Sequence, residues 1–325
     1  MKYSTNVISF DGSGYLFIKR RINTNTGLIG DSEDEPLTTV YKNALAAIAL
    51  IHEGDVADAE RIFKRFNKYY LLNKEDFHGF PQTWNAETGL PDTTSIHWEG
   101  DSAFLLLALN YYNQIKGNFG DYKLLVQGLI KWLSQRANLC DLIVAEGVAV
   151  MYASLLPFSK SNNIQTSLTK LRCCFFSTAQ ISSKDYERNL KHIVLGSLVF
   201  GDITGFNHFK NYIRTEMQDH GNQFQITAFS AFAGDSIINV EISVQVLLAL
   251  KLWHIENHLN TLNLQTGLEK LLLPEKRDFS VSGVSNSMKN HRDKIFYALP
   301  AVEPTCYLLF YYWGFNPFQI ADLRF

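Results

Sequence analysis

The segment TTVYKNALAAIALIHEGDVADAERIFKRFNKYY, residues 38–70, joins two helical patterns of different kinds. From Thr38 to Glu53, apolar residues cover most of the helical circumference, which is typical of a helix buried on every side. Gly54 can end this helix and Asp55 can cap the next one, in which an apolar stripe lies opposite a charged face. The segment therefore predicts a hairpin of one inner and one outer helix.

The same alternation recurs along the chain and predicts its fold. Inner helices are predicted to begin near residues 38, 100, 143, 186, 239 and 301. Outer helices are predicted at 56–70, 121–135, 164–179, 206–217 and 258–273, with the N-terminal segment as a candidate for the sixth. The apolar face of one hairpin cannot be buried alone, so the hairpins must stack or close into a ring. We predict an all-α (α/α)6 toroid that forms a single domain over residues 1–325.

An open helical solenoid is the alternative architecture, because residues 44–63 look like a tetratricopeptide repeat. That repeat has a period of about 34 residues and recurs with visible self-similarity. The spacing here is longer, and no second copy of the stretch is found. The closed ring is therefore the preferred interpretation.

Composition limits the classes of partner. The chain has 30 basic and 32 acidic residues, a net charge of −2, which argues against a dedicated binder of nucleic acid or of anionic membranes. The four cysteines form no C-x-x-C pair, so neither a zinc site nor a disulfide framework is indicated. An uncharged run over 304–321 is broken by Gly314 and Pro317, and we interpret it as a buried helix. No secretory signal is recognised, and a soluble, reduced, cytoplasmic protein is expected.

Three stretches carry a resemblance to a known family. Residues 39–62 resemble the first hairpin of bacterial six-hairpin glycosidase-like proteins, and the stretches 97–109 and 303–318 agree with it. The resemblance implies an (α/α)6 toroid, many members of which hydrolyse, cleave or epimerise glycans. Such an analogy at the level of the fold does not assign a reaction. It does place Tyr41 and His97 in stretches where we expect substrate-binding residues.

One departure from the family motif affects the expected chemistry. Tyr41 would be followed by Asp in that motif, whereas this chain has Lys42. A cation in place of a carboxylate puts an acid or base role at that position in doubt. Residues 160–235 also carry little of the resemblance.

Acidic residues stand near the starts of most of the inner helices, and they are the candidate catalytic groups. Helix N-termini favour carboxylates through capping and the macrodipole, which is the structural explanation for each of them. A carboxylate on an otherwise apolar helix must, however, pair, face a cavity or hold a proton. Glycoside hydrolysis needs two carboxyl groups across one sugar linkage. The candidates are Glu99 or Asp101 paired with Glu303 or Glu146, and Glu241 is a candidate substrate-binding residue.

The long loop 77–98 is the second candidate feature, because loops of this length in compact domains are often functional. Trp84 and Trp98 flank the second inner helix, where either ring could stack on a sugar. Alternatively, the two rings seal the loop against the helices. The polar segment Arg277–Lys294 is interpreted as a mobile loop near the mouth of the funnel.

Other motifs are weak or missing. His254 and His258 have helical spacing but lack a third metal ligand and the H-E-x-x-H order. The acidic loop 31–35 is interpreted as a solvated loop, with a cation-binding rim as the alternative. No nucleotide-binding motif is found, so no cofactor is predicted. Since the histidine pair lacks further ligands, no metal is predicted either.

These observations favour a carbohydrate-active enzyme, a glycoside hydrolase that acts on an oligosaccharide or glycan through paired carboxylates in a central funnel. The first alternative is a non-catalytic toroid that binds a glycan, a peptide or a protein. The second is a toroid of the isoprenoid cyclase or prenyltransferase type, which the stretch 31–35 supports only loosely.

Overall fold

The computed structural model describes residues 10–31, 36–178, 190–205, 213–219, 223–229, 237–254, 265, 268, 272–274, 282–285, 287–291, 294–297 and 300–319. Six of its helices have the inner pattern. They are α2 (Val40–His52), α4 (Glu99–Lys116), α6 (Ala145–Leu155), α8 (Leu190–Phe200), α9 (Val240–Leu252) and α10 (Val302–Trp313).

These six inner helices close into a ring. Each packs against the next in chain order, and α10 packs back against α2. Their side chains are buried on nearly all sides, as the apolar circumference of each pattern requires. The predicted (α/α)6 toroid is thereby confirmed as the fold class.

Four outer helices lie in the described part of the chain: α1 (Phe10–Arg20), α3 (Val56–Asn73), α5 (Lys123–Arg136) and α7 (Asn162–Thr178). Helix α1 packs against α10 and α2, so the N-terminal segment does supply an outer helix. The stripe of α3 is buried through Ala59, Ile62, Phe63 and Phe66, while its charged face is largely solvated.

The prediction of an outer helix over 206–217 is wrong where the structure describes it. Residues Ile213–Asp219 (β3) and Gln223–Phe229 (β4) form an antiparallel hairpin, and 206–212 lie outside the described residues. The sequence QFQITAF of β4 has the period-two alternation and the β-branched residues that are typical of a strand, which is a local signal against a helix here.

Two further predictions need correction. The outer helix expected over 258–273 is helical at Gln265 and Leu268, but Leu272–Pro274 (β6) is a strand, and the stretch 258–264 is outside the described part. The segment Arg277–Lys294, expected to be a loop, contains strands β7 (Ser282–Ser285) and β8 (Ser287–His291).

The remaining strands are short and join the loops at the ends of the ring. They are β1 (Leu37–Thr39), β2 (Thr83–Asn85), β5 (Ile237–Asn239), β9 (Lys294–Tyr297) and β10 (Pro300–Ala301). β1 pairs with β2, the order β5–β8–β9 forms a second sheet, and β10–β7–β6 forms a third. β1, β5 and β10 each lead directly into an inner helix, so they fix where α2, α9 and α10 begin.

The structure also differs from the expectation for the cysteines. Cys140 and Cys174 form a disulfide across 34 residues, because the turn Ala137–Leu142 that follows α5 packs against α7 and brings the two Cα atoms to 6.2 Å. Sequence spacing could not reveal this proximity. Cys173 is exposed and Cys306 is buried, and both are free thiols.

None of the helices in the described ranges is both long and apolar enough to span a bilayer. The run that begins at Pro304 forms most of α10, which ends at Gly314 with a left-handed backbone conformation. A location in the cytoplasm stays a prediction.

Candidate functional site

The first turns of the six inner helices meet at one end of the ring. The second residue of each helix is, in order, Tyr41, Gly100, Glu146, Lys191, Glu241 and Glu303. We call the five side chains other than Gly100 the central polar ring. They are in mutual contact or electrostatic interaction although they are up to 262 positions apart in the chain (41 to 303). The toroid closure brings them together.

Glu241 and Glu303 form a hydrogen-bonded pair of carboxyl groups. Two carboxylates cannot share a hydrogen bond, so one of them must hold a proton. Burial raises the pKa of the Glu303 carboxyl well above its ordinary value, and the neighbouring Glu241 charge raises it further. Glu303 is therefore the group that carries the proton and donates it to Glu241.

Lys191 lies between two of the glutamates. Its Nζ is 2.7 Å from Glu146 Oε2 and 3.7 Å from Glu241 Oε1. Burial by itself would lower the pKa of the Lys191 ammonium, but the two carboxylates outweigh it and raise that pKa. Lys191 therefore remains charged and compensates the negative side of the ring.

The carboxyls of Glu146 and Glu241 respond differently to this ammonium. Burial raises the pKa of Glu146, and the Glu241 charge adds to the rise, while Lys191 opposes it. Burial would also raise the pKa of Glu241, yet the Lys191 charge and several hydrogen bonds together lower it. Glu241 is thus the most firmly ionised member of the ring, and Glu146 is the more basic carboxylate.

Hydrogen bonds from α2 and α9 hold Glu241 in place. Gln245 Nε2 donates to Glu241 Oε1 at 2.9 Å, one helical turn along α9. The Tyr41 hydroxyl lies 3.2 Å from the same oxygen and 3.0 Å from the hydroxyl of Tyr307. Because a carboxylate can only accept, Tyr41 donates to Glu241. This set of donors explains why Glu241, rather than Glu303, holds the negative charge.

Helix α4 contributes an aromatic ring instead of a polar side chain. A Cβ atom added to Gly100 would lie 2.4 Å from the indole of Trp98, so the ring stands where a side chain at position 100 would be. Trp98 Nε1 also lies near Gly147, next to Glu146. Trp98 is half-buried, and its ring lies against the first turns of α4 and α6, next to the central polar ring.

The central polar ring is partly exposed to solvent. The side chain of Lys191 is 31% exposed, that of Glu146 15% and that of Glu241 11%. Tyr307, behind Tyr41, is fully buried. Glu303, like Glu146, is only partly buried, so members of the ring on α6, α8 and α10 are open to a ligand.

Asp101 lies beneath the ring in the first turn of α4. Its Oδ1 accepts a hydrogen bond from the backbone N–H of Tyr41 at 2.8 Å, which ties the starts of α4 and α2 together. The residue is 0% exposed. Burial raises the pKa of its carboxyl to about 7, although the bonds from Tyr41 and Gln82 act against the rise.

Three other sequence candidates lie away from the ring. Glu99 points to α5 and accepts a hydrogen bond at 2.6 Å from Arg136 Nε, in an ion pair that joins the two helices. Trp84 is 1% exposed and packs edge-on against Phe66 of α3, which corresponds to the alternative of a ring that seals the loop. His97 is exposed and its Nδ1 lies 3.3 Å from the carbonyl oxygen of His78.

The site therefore gathers Glu146, Glu241, Glu303, Tyr41 and Trp98 from among the sequence candidates, with Asp101 just below. Lys191 was not among them. Its helix pattern was recognised, and a lone cation at the start of an inner helix, where the others have acids, is the signal that could have indicated it.

Lys42 does not join the central ring. Its Nζ lies 2.5 Å from Asp31 Oδ2, and both side chains are mostly buried. The residues 32–35 of the acidic stretch lie outside the described part of the chain. Across the described ranges, no cluster of three or more His, Cys, Asp or Glu side chains is arranged to hold a metal ion.

No family model matches the chain, and no curated protein matches it in sequence. Solved structures do match. A wild-type glycosidase is 10% identical with a TM-score of 0.63, and the match covers 95% of this chain and 96% of that protein. A glycosidase variant in complex with glucose is also 10% identical with a TM-score of 0.63, and the match covers 94% of this chain and 95% of the variant. A D-mannose isomerase is 9% identical with a TM-score of 0.61, covering 96% and 99%. A sugar epimerase from a ruminal bacterium is 9% identical with a TM-score of 0.57, covering 93% and 96%.

These structures match over nearly the whole chain, so the resemblance to six-hairpin glycosidase-like toroids is confirmed at the level of the fold. At such low identity the match carries no assignment of substrate or reaction.

The raised pKa of Asp101 predicts how stability depends on pH. An unfolded Asp has a pKa of about 3.9, whereas the folded value is about 7. The folded state therefore binds more protons between these values, and stability falls as pH rises through this window. Asp101→Asn keeps an oxygen to accept from Tyr41 and cannot ionise. We expect the variant to gain stability relative to wild type from pH 5 to pH 8, by at most about 1.4 kcal/mol per pH unit.

Urea unfolding of both proteins across this pH range measures the difference. Asp76→Asn, at an exposed position, controls for replacing a carboxyl by an amide. A constant difference between wild type and Asp101→Asn at all pH values would mean that Asp101 is not a buried titrating group.

Proposed function

We propose that this protein is a carbohydrate-active enzyme and that it hydrolyses a glycosidic bond in an oligosaccharide or glycan. The single observation that carries the proposal is the hydrogen-bonded pair of Glu241 and Glu303, which must share a proton, with a further carboxylate, Glu146, in the same ring. Glycoside hydrolysis requires one carboxylic acid and one carboxylate on the two sides of the bond. The fold shared with a glycosidase supports the same class.

Glu303 is the proposed general acid. Its carboxyl is buried against the Glu241 carboxylate, which raises its pKa and favours its protonated form, and an acid of raised pKa is what protonation of a leaving glycosidic oxygen needs. After the transfer, the ammonium of Lys191 attracts the negative charge left on Glu303, since the two groups interact.

Glu146 is the proposed partner carboxylate. Glu241 is directly hydrogen-bonded to Glu303, so no sugar linkage fits between these two groups, whereas catalytic carboxyls stand about 5 to 9.5 Å apart. Glu146 lies on the other side of Lys191, and its raised pKa makes its ionised form the stronger base. It would activate water or attack the anomeric carbon. Glu241 keeps Glu303 protonated by raising its pKa, until the Glu303 O–H turns from Glu241 to the glycosidic oxygen.

The charges of the ring favour an uncharged sugar. Two ionised glutamates face the single ammonium of Lys191, which they already neutralise. An acidic sugar would meet net negative charge and would lose hydration without gaining an ionic partner. We propose neutral sugars as the substrate class, with Trp98 stacking on the apolar face of one ring.

A sugar isomerase or epimerase is the second candidate. Two carboxyl groups that share one proton in direct contact could also move a proton at a single substrate carbon, and the fold is shared with a mannose isomerase and a sugar epimerase. Binding of a glycan without turnover is the non-catalytic alternative. One assay distinguishes the three.

The assay incubates the purified protein with neutral oligosaccharides and free monosaccharides and follows the sugars by proton NMR. New reducing ends indicate hydrolysis, and conversion of a monosaccharide indicates isomerisation. We expect hydrolysis, and we expect Glu303→Gln and Glu146→Gln each to lower kcat by about 10²- to 10⁴-fold. Wild-type activity should fall at high pH, as Glu303 loses its proton, and at low pH, as Glu146 gains one.

Glu75→Gln is the matched control, because Glu75 is an exposed glutamate on the loop after α3. Sugar binding with no turnover of any kind would remove the enzymatic proposal. Loss of activity in the control as well would indicate a nonspecific effect.

Lys191→Met tests the charge compensation in the ring. Removing the ammonium takes away the group that lowers the pKa values of both Glu146 and Glu241, so those values should rise. We expect the acidic limb of the kcat/KM profile to move to higher pH by about one to three units. Lys191→Arg keeps the charge and should leave the limb near its wild-type position. A lower rate with an unmoved limb would contradict this role.

Trp98 is expected to act on substrate binding. Trp98→Ala removes the stacking surface while leaving the carboxyl groups, so KM should rise about 10-fold with kcat changed much less. Trp98→Phe keeps a flat ring and should restore most of the affinity. Trp132→Phe, a tryptophan of α5 outside the ring, is the control. Equal kinetics for Trp98→Ala and wild type would exclude a stacking role.

A further inference from the structure

A basic pocket lies on the outer helix α3, separate from the central polar ring. It has a volume of about 270 Å³ and is lined by residues 24–27 and by one face of α3. Four cations of that face line it: Arg61, Lys64, Arg65 and Lys68. Their spacing of three or four residues places them on the same side of the helix.

The positive charge of this pocket is largely uncompensated. No carboxylate is among the lining residues, and in the described part of the chain an ion pair of this face joins Arg61 Nη1 to Asp58 Oδ1 at 3.4 Å. Within the described ranges, Lys64 and Lys68 make no hydrogen bond or ion pair. Like charges at helical spacing repel each other and destabilise a helix. The cluster is therefore unfavourable in the free protein, and a bound anion would relieve the repulsion.

The pocket is built on a fixed framework. The Asn23 side chain accepts hydrogen bonds from the backbone N–H groups of Asn25 and Thr26. Gly27 has a φ of +78°, and a Cβ there would lie 2.5 Å from the carbonyl oxygen of Arg61, so the loop is seated directly on the helix backbone. Loop and helix thus form one rigid concave surface.

Arg65 is anchored to this framework. Its Nε donates to the carbonyl oxygen of Thr26 at 3.2 Å, and a Cβ at Gly89 would touch its guanidinium, so the planar group is fixed between two loops. A guanidinium whose direction is already set loses little entropy when it binds an anion. Lys64 and Lys68 are exposed and can turn toward the same point as mobile charges.

We infer that this pocket binds a tetrahedral oxyanion, namely a phosphate group that is either free or attached to a small molecule such as a sugar. A fixed guanidinium with flanking ammonium groups is a suitable donor set for a dianion with three or four oxygens. The volume suits an ion or a monosaccharide ester rather than a polymer. The site lies on the outer wall, so its ligand is distinct from a substrate in the central funnel.

The test measures binding to the full-length protein by isothermal titration calorimetry, with inorganic phosphate, glucose 6-phosphate and glucose as probes. Lys64→Ala/Lys68→Ala removes two exposed charges and is expected to fold normally. We expect this variant to bind both phosphate probes at least about 10-fold more weakly than wild type. Lys74→Ala/Lys123→Ala removes the same charge from exposed positions outside the pocket and should keep wild-type affinity.

The dependence on conditions gives a second criterion. Affinity should fall with added salt and should rise from pH 5.5 to 7.5, as a phosphate ester loses its second proton near pH 6. Tighter binding of glucose 6-phosphate than of phosphate would identify an ester as the ligand, and equal binding would identify the free ion. No phosphate binding, or an equal loss in both double variants, would overturn the inference.

Discussion

Six helix N-termini directed at one point create the constraint on which this structure depends. Each N-terminus presents unpaired N–H groups and a partial positive charge, so carboxylates are favoured there. Three glutamates converge at the centre of the ring, where little water can screen them. Three neighbouring negative charges would repel one another strongly, and the fold neutralises two of them. One is compensated by the ammonium of Lys191, and one is removed by the proton on Glu303. The chemical capacity of the site follows from this arrangement, because the stored proton and the remaining carboxylate are the two reagents of acid–base catalysis.

The same helix turn shows how position separates structural from functional carboxyls. Glu99 and Asp101 both lie in the first turn of α4, but two residues along a helix turn the side chain through about 200°. Glu99 therefore faces α5 and pairs with Arg136, whereas Asp101 is directed inward under Tyr41. Composition at the helix start could not distinguish them, since both are acidic and both suit an N-terminus. Only the closure of the ring, which sets the inward direction of each helix, makes the difference.

The sequence predicted the inner ring well because its signal is local. An apolar circumference requires burial on every side, and six such helices in one chain have few ways to achieve that. The acids at the helix starts were visible for the same reason. Trp98 was recognised as a ring near the second inner helix, but its position over Gly100 depends on the backbone of that helix and not on a pattern. The sequence did not predict a role for Lys191, because that role depends on the ion pairs with Glu146 and Glu241, which lie 45 and 50 positions away in the chain. The disulfide between Cys140 and Cys174 likewise depends on a contact across 34 residues, whereas the hairpin of β3 and β4 is local and has a period-two pattern in the sequence of β4.

The substitution at position 42 can be understood from the same geometry. Position 42 is one residue beyond Tyr41, about 100° around α2, so its side chain leaves the central ring and meets Asp31. A carboxylate there would face that aspartate and would be repelled, whereas Lys42 forms an ion pair with it. The positive charge also acts on the ring at a distance, since it lowers the pKa values of Asp101 and Glu303 and so opposes the effect of burial. Lys42 therefore replaces the carboxyl group of the family motif by a positive charge, in addition to that of Lys191. The set of Glu146, Glu241 and Glu303 does not require an acid at position 42.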